Sequence, residues 1–278
     1  MKLFNPFLKF FIRRYLFGVL VTTQFYPIFK VLYRISLWGM NIGLGGGGVE
    51  DTGESHVLQM LSKDISRKNS KKILPLIFFD VGSNQGQFAK LVIKSLGEKV
   101  SLFCFEPSKN TFDTLTQNLE GFRNTKLYNF GLGERDQLLS LYADKEMSGH
   151  ASLYDRKHFD KSTTKLVETV EIKSLDKFCS ENKISHIHYL KLDVEGHELS
   201  VLNGSTKMLQ AGAIDYIQFE FGGCNIDSRT YLRDFFEILS DNYDLFRLLR
   251  NGLAPIKTYD EILEVFTTTN FIAKLKSL

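Results

Sequence analysis

The chain has 278 residues, of which 43% are hydrophobic and 24% charged, and its formal net charge is +3. This balance excludes a disordered or collagen-like chain and allows one large domain, or one domain with an appendage. Three widely spaced cysteines, Cys104, Cys179 and Cys224, form no C-x-x-C pair, which excludes a disulfide framework or zinc ribbon and suits a reducing cytoplasm.

The charge is unevenly placed. Residues 1–49 hold Lys2, Lys9, Arg13, Arg14, Lys30 and Arg34 and no acid, so the rest of the chain is mildly acidic. Aromatic residues crowd the same stretch, among them Phe4, Phe25, Tyr26, Phe29, Tyr33 and Trp38. Its uncharged run, Tyr15 to Phe29, is interrupted by Thr22, Thr23, Gln24 and Pro27. A spanning helix needs ~20 mostly apolar residues, and no small-residue cleavage site follows the run, as a signal peptide would require. Two readings stay open: an interfacial arm with bases at anionic headgroups and aromatics below them, or an arm packed on the domain or on a second subunit. Gly43 and Gly45 to Gly48 then read as a flexible connector. The division expected is an arm and connector over 1–49 and a domain over 50–278.

Thr52-Gly-Glu-Ser leads into a helix carrying Val57, Leu58 and Leu61, with Glu54 as a first-turn acid and Lys63 to Lys72 as a solvated basic loop. Leu76 to Phe79 is an unbroken apolar run, the pattern of a strand buried on both faces of a parallel sheet. It ends in Asp80, and Gly82, Ser83, Asn84 and Gly86 form a tight turn before the apolar helix residues Phe88, Leu91 and Val92. Strand, acid, glycine turn and helix build a small-molecule site at the carboxyl end of a first strand. The full G-x-G-x-x-G spacing and a Gly-Lys-Ser/Thr are both missing, which weakens dinucleotide and nucleoside-triphosphate readings. Val100 to Phe105 is a second apolar strand ending in Glu106-Pro107, and an acid there can accept hydrogen bonds from both hydroxyls of a ribose.

Lys126 to Phe130 reads as a third strand, followed by a turn at Gly131. Leu138 to Ala143 and Leu166 to Ile172 alternate as half-buried strands do, and the polar loop between them holds Ser148, Gly149, His150 and Ser152. That loop is long enough to cover a pocket, with His150 either a base or a solvated residue. His188 to Val194 is another strand, whose Lys191 needs a charge partner, supplied two residues on by Asp193. Ile214 to Phe221 carries Glu220 near its end, and Tyr243 to Leu249 and Asn270 to Leu275 read as an antiparallel final pair. Asp80, Glu106, Asp193 and Glu220 thus all fall at the carboxyl ends of strands, where open α/β sheets bind ligands.

The Asp80 turn, Glu106 and the segment Lys191-Leu-Asp-Val-Glu-Gly-His-Glu198 with Val201-Leu-Asn-Gly204 resemble the FkbM family of class I S-adenosylmethionine-dependent methyltransferases, from about Gly53 onward. The resemblance implies a Rossmann-like, doubly wound, mostly parallel seven-stranded sheet with an antiparallel C-terminal strand, behind an N-terminal helical arm. It implies S-adenosyl-L-methionine as cofactor, held by Asp80, Gly82, Ser83, Asn84, Gly86, Glu106, Pro107 and Asp193, with Asn129 and Gly131 edging the adenine, and it makes Glu54, read otherwise as a first-turn acid, a candidate pocket residue. It places Asp193, Glu195 and His197 at the active-site edge, where His197 or Glu195 serves as general base and Asp193 orients cofactor or acceptor. The activity implied is O-methylation of a sugar, glycan, lipid or secondary-metabolite hydroxyl. No metal is expected, although carboxylates in this arrangement also suit Mg²⁺. The competing reading is a non-catalytic ligand-binding or scaffold protein of the same fold. Nucleic acid is not an expected partner, because the body lacks an extended basic face. The location expected is cytoplasmic, with peripheral contact at the inner face of a membrane through residues 1–38 if the arm is interfacial.

Overall fold

A computed structural model describes residues 10, 14–15, 17–43, 52–68, 75–143, 151–155 and 165–276. Gly45 to Gly48 of the expected connector, the end of the basic loop and His150 lie outside them. The chain divides into two compact units, Met1–Gly43 and Leu44–Leu278.

In the first unit, helix α1 (Phe17–Leu20) is followed by α2 (Tyr26–Gly39). Pro27 stands in the first turn of α2, where the missing N–H would have no partner anyway. Tyr26, Ile28, Val31, Tyr33, Ile35 and Trp38 are each more than half exposed, so apolar side chains face outward around most of this helix. No helix among the described residues is long and apolar enough to cross a membrane.

The second unit carries strands β1 (Leu76–Val81), β2 (Val100–Phe105), β3 (Thr125–Tyr128), β4 (Gly131–Gly133), β5 (Gln137–Ala143), β6 (Lys165–Ser174), β7 (Ile187–Leu192), β8 (Ile214–Phe221), β9 (Tyr243–Leu249), β10 (Gly252–Ile256) and β11 (Thr269–Leu275). Its helices are α3 (Glu54–Lys68), α4 (Gln87–Leu96), α5 (Lys109–Asn118), α6 (Leu175–Glu181), α7 (Glu198–Asn203), α8 (Thr206–Gln210), α9 (Cys224–Ser228) and α10 (Leu232–Leu239). The main sheet has the order β10-β9-β11-β8-β7-β1-β2-β3. From β8 to β3 all neighbours are parallel, and β11, β9 and β10 are antiparallel. A second sheet, β4-β6-β5, stands apart.

The doubly wound, largely parallel α/β plan is as expected, with three corrections. The main sheet has eight strands, because Gly252–Ile256 pairs on β9; Pro255, which has no N–H for a second ladder, is tolerated because β10 is an edge. Helix α3 continues to Lys68 where a loop was expected, since Lys63 to Lys68 contains no helix breaker. The third strand stops at Tyr128, and Gly131–Gly133 joins the second sheet instead.

Side chains of β1, β2, β7 and β8 alternate between two cores, as a period of two requires. Phe79, Phe103, Phe105, Leu190 and Phe219 fill one face, and Phe178 of α6 meets Phe79, Phe103, Phe105 and Tyr128 edge-on. Phe78, Leu102, Tyr189 and Tyr216 fill the other face under Val57 and Leu58 of α3. Two helix starts are satisfied from afar. Asp176 accepts from the N–H groups of Lys207 and Met208 at α8, and Glu264 accepts from those of Leu232 and Arg233 at α10. Where α7 ends, Gly204 presses on the second sheet, and a Cβ there would lie 1.9 Å from the Gly133 carbonyl oxygen. Backbone cannot move aside as a side chain can. Gly204→Ala should therefore destabilise the fold by about 3 kcal/mol, read as a lower urea midpoint; an unchanged midpoint would show that the two segments do not hold each other.

Candidate active site

The carboxyl end of β1 is tied to both neighbours. The N–H groups of Gly82 and Ser83 donate to the Phe105 carbonyl of β2 at 3.0 Å, and Asp193 N–H donates to the Val81 carbonyl at 3.0 Å. Gly82 has φ +82°, and a Cβ on it would lie 1.9 Å from the Asp193 carbonyl oxygen, so only glycine lets the two strand ends meet. The chain then turns through Asn84, also left-handed, into α4.

A pocket opens at this edge. Its floor is Val81, Gly82, Asn84, Glu106 and Pro107, and Gly131, Leu132, Leu141 and Ile172 form an apolar side. Asp193, Val194, Glu195 and His197 form another side, and Ala151 and Leu153 complete the wall. Gly82, Asn84, Glu106, Pro107, Gly131, Asp193, Glu195 and His197 therefore come together at one pocket. Four other expected residues do not line the pocket. Asp80 lies wholly buried behind it, and the Ser83 hydroxyl donates to the Asp80 carbonyl. Gly86 starts α4 against Leu115, and the Asn129 amide donates to the carbonyls of Glu106 and Pro107.

Glu106 accepts from the N–H groups of Asn84 and Ser108, each at 3.0 Å, through different oxygens. Burial outweighs these bonds and pushes its carboxyl up to about 7. Neither oxygen of Asp80 has a hydrogen-bond partner, and burial raises its pKa to about 6 against the pull of Lys191. Lys191 sits among acids, with Nζ 2.8 Å from Asp193 Oδ2 and 3.9 Å from Glu54 Oε1. Burial opposes its charge, but Asp193, Glu54 and Asp80 together hold the ammonium above its ordinary range. Glu54 also accepts from Gln218 Nε2 at 2.9 Å, which makes it part of a buried polar network rather than a plain first-turn acid.

The turn after β7 carries the remaining groups. Glu195 is left-handed at φ 51° and Gly196 follows at φ 102°. Glu198 Oε1 accepts from the N–H groups of Val194 and Gly196, while Oε2 is buried without a partner; burial pushes this carboxyl up to about 8. His197 shares a 3.1 Å hydrogen bond between Nδ1 and the Tyr154 hydroxyl, and its Nε2 is buried and unpartnered. Burial lowers its pKa to about 4, so the ring is neutral at ordinary pH. Asp193, Glu195 and Glu220 bring carboxylate oxygens within 4.8 Å of one another. Burial, and then these two acids, raise the pKa of Glu220 well above the usual range.

Sequence reading missed Leu132, Leu141 and Ile172 as pocket walls, and Ser152, Tyr154, Gln218 and Cys224 as partners of site residues. The apolar alternation around Leu141 and Ile172 gave a local signal, but it does not say which face meets a ligand.

An acid-tipped parallel sheet with a pocket across the ends of its central strands defines the Rossmann-like class of small-molecule-binding α/β proteins. The chain belongs to the FkbM methyltransferase family, since the methyltransferase FkbM domain matches residues 80–250. It is similar to the hexuronic acid methyltransferase AglP of Haloferax volcanii, with 29% identity over 160 residues, 57% of this chain and 59% of that protein. It is also similar to the 2-O-methyltransferase NoeI of Sinorhizobium fredii, with 25% identity over 158 residues, 51% of this chain and 63% of that protein. The chain thus spans less than two thirds of the length of these relatives. Among solved structures, methyltransferase FkbM from Methylobacillus flagellatus KT aligns with a TM-score of 0.44 and 16% identity, over 71% of this chain and 43% of that one.

The raised carboxyls make stability depend on pH. Glu198, moved from 4.5 to about 8, binds its proton more tightly in the folded protein. Its contribution is full below pH 4.5 and is lost as pH rises through about 8. His197 acts oppositely, with a contribution present above 6.5 and lost as pH falls through about 4. The ligand-free Glu198→Gln variant should therefore lose less melting temperature than the unmodified protein between pH 6.5 and 8. Equal slopes would mean that Glu198 ionises normally.

Proposed function

We propose that this protein is an S-adenosylmethionine-dependent O-methyltransferase acting on a sugar hydroxyl of a glycan or glycan precursor. The observation that carries the cofactor half is Glu106: a buried carboxylate lining the pocket at the carboxyl end of β2, with Gly82 of a turn that admits no Cβ lining the same pocket. Glu106 keeps lone pairs beyond those taken by Asn84 and Ser108, and these suit ribose hydroxyls. The apolar side at Leu132, Leu141 and Ile172 suits a flat purine. When bound, S-adenosylmethionine supplies an electrophilic methyl group on a sulfonium centre. The sugar acceptor is supported by the family and by the two relatives named for a hexuronic acid and for 2-O-methylation.

An attacking hydroxyl must lose its proton, and a positioned carboxylate can take it. We assign this to Glu195. It lines the pocket beside Asp193, whereas both ring nitrogens of His197 are enclosed. Lys191 supplies positive charge among the acids, so the proposed chemistry uses no divalent cation. Asp193, tied to Lys191, orients the reacting groups.

The first unit is assigned to an anionic lipid surface. Its outward apolar and aromatic residues, Lys30 and Arg34 within α2, and the absence of any acid before residue 50 match such a surface. On this reading the enzyme works peripherally on a membrane, where lipid-linked glycans would reach it.

Three outcomes are expected. Glu106→Ala should weaken S-adenosylhomocysteine binding about 30- to 1000-fold by calorimetry, and unchanged affinity would remove Glu106 from the site. Glu195→Gln should slow methyl transfer to a uronic-acid glycan by ~10²- to 10⁴-fold, with S-adenosylhomocysteine affinity nearly intact and EDTA without effect. A rate equal to that of the unmodified protein, or loss of activity in EDTA, would overturn the base assignment or the metal-free reading respectively. Full-length protein should sediment with anionic vesicles at low salt and be released by high salt, while a chain starting at Met40 stays in the supernatant and still binds cofactor. Failure to sediment would refute the lipid assignment.

A further inference from the structure

Ala151–Asp155 is a five-residue piece with alternating duties. Ser152 pairs with Tyr142 of β5 through both backbone groups, N–H to carbonyl at 2.9 Å and carbonyl to N–H at 2.8 Å. This fixes the direction of the side chains around it. Ala151 and Leu153 line the pocket and pack with Leu141, Val170 and Ile172. Ser152 and Tyr154 instead reach the turn after β7. The Ser152 hydroxyl donates to the Glu195 carbonyl at 2.7 Å and accepts from the Tyr154 N–H at 3.2 Å. The Tyr154 hydroxyl meets His197 Nδ1 at 3.1 Å. Ser152 is 1% exposed, so its bonds are not shared with bulk water.

The turn that receives these contacts is a strained one. Glu195 is left-handed without being glycine, a conformation that persists when the surroundings over-determine it. Within the turn, Glu198 ties the N–H groups of Val194 and Gly196. From outside, Ser152 holds the Glu195 carbonyl, and Cys224 Sγ lies 2.6 Å from the Glu195 carboxylate. Glu195 is thereby held at backbone and side chain by two segments far from it in sequence.

We propose that Ala151–Asp155 is a clasp: Ala151 and Leu153 wall the cofactor pocket, and Ser152 and Tyr154 are positioning residues that hold Glu195 and His197 in place. The wall function rests on the cofactor reading above; the positioning function does not. Because both duties fall on one short piece of chain, a ligand that presses on Ala151 and Leu153 also steadies the turn, and the steadied turn retains the ligand, as linkage requires.

The test compares the unmodified protein with Ser152→Ala, Tyr154→Phe and the double variant. Without ligand, amide hydrogen exchange in residues 193–197 should rise about tenfold in the double variant, the effect of losing roughly one to two hydrogen bonds. Exchange in β1 and β8 should stay as it was. S-adenosylhomocysteine should dissociate about tenfold faster from the double variant, with its association rate within about threefold. A general loss of packing would raise exchange throughout, so an effect confined to the turn marks positioning. Unchanged exchange at 193–197 overturns the clasp, as does a rise shared equally by β1 and β8. If the unmodified protein fails to bind S-adenosylhomocysteine, the cofactor reading fails, and the exchange comparison still decides the positioning role.

Discussion

One buried ammonium makes the rest of the site tolerable. Asp80 and Glu54, both buried, and the half-buried Asp193 would repel one another at the sheet edge, and Lys191, 5% exposed, stands among them. Its own burial is costly unless acids surround it. Each charge is thus the condition for the others. The fold supplies the geometry: Lys191 is paired in register with Asp80 across β1 and β7 and with Gln218 across β7 and β8, so three adjacent strands deliver their polar groups to one level. Gln218 passes the network on, accepting from the Tyr189 hydroxyl and donating to Glu54 and Asn270. Removing the lysine would leave the charges of Asp80, Glu54 and Asp193 without the cation that offsets them. Removing one acid would leave the lysine with others.

Against that framework, the carboxyls that lie off Lys191 behave differently. Glu106 and Glu198 take their hydrogen bonds from backbone N–H groups, which cannot cancel the effect of burial. Their elevated pKa values, about 7 and about 8, lie close to neutral pH. Perturbed carboxyls gathered around one pocket are characteristic of functional sites.

Much of this was legible in the sequence because it is written locally. The apolar runs of β1, β2, β7 and β8 each end in an acid or lead into one, and the sheet aligns those ends. The Lys191–Asp193 pair could be read from two positions on one strand face. What escaped reading depends on distance along the chain. Glu54 looks like an ordinary helix-start acid until Gln218, 164 residues away, donates to it. Tyr154 and His197 are 43 residues apart and meet only because β5 anchors Ser152. The strand count was missed for another reason: Gly-Leu-Ala-Pro-Ile is too short and too breaker-rich to read as a strand, and only the exposed edge of β9 makes it one.

The place of β11 in the sheet bears on how the protein is made. Thr269–Leu275 lies between β8 and β9 and pairs with both. During synthesis β8 emerges long before β11, and for that interval one side of β8 has no strand to bond. An open edge of this kind can recruit a neighbouring nascent chain. β9 bonds β11 and not β8, so β9 and β10 can join the main sheet only once Thr269–Leu275 is available to stand between them and β8. Vectorial synthesis therefore leaves the parallel half of the sheet, β3-β2-β1-β7-β8, free to assemble first, while a chain cut short before Thr269 would present a bare β8 edge.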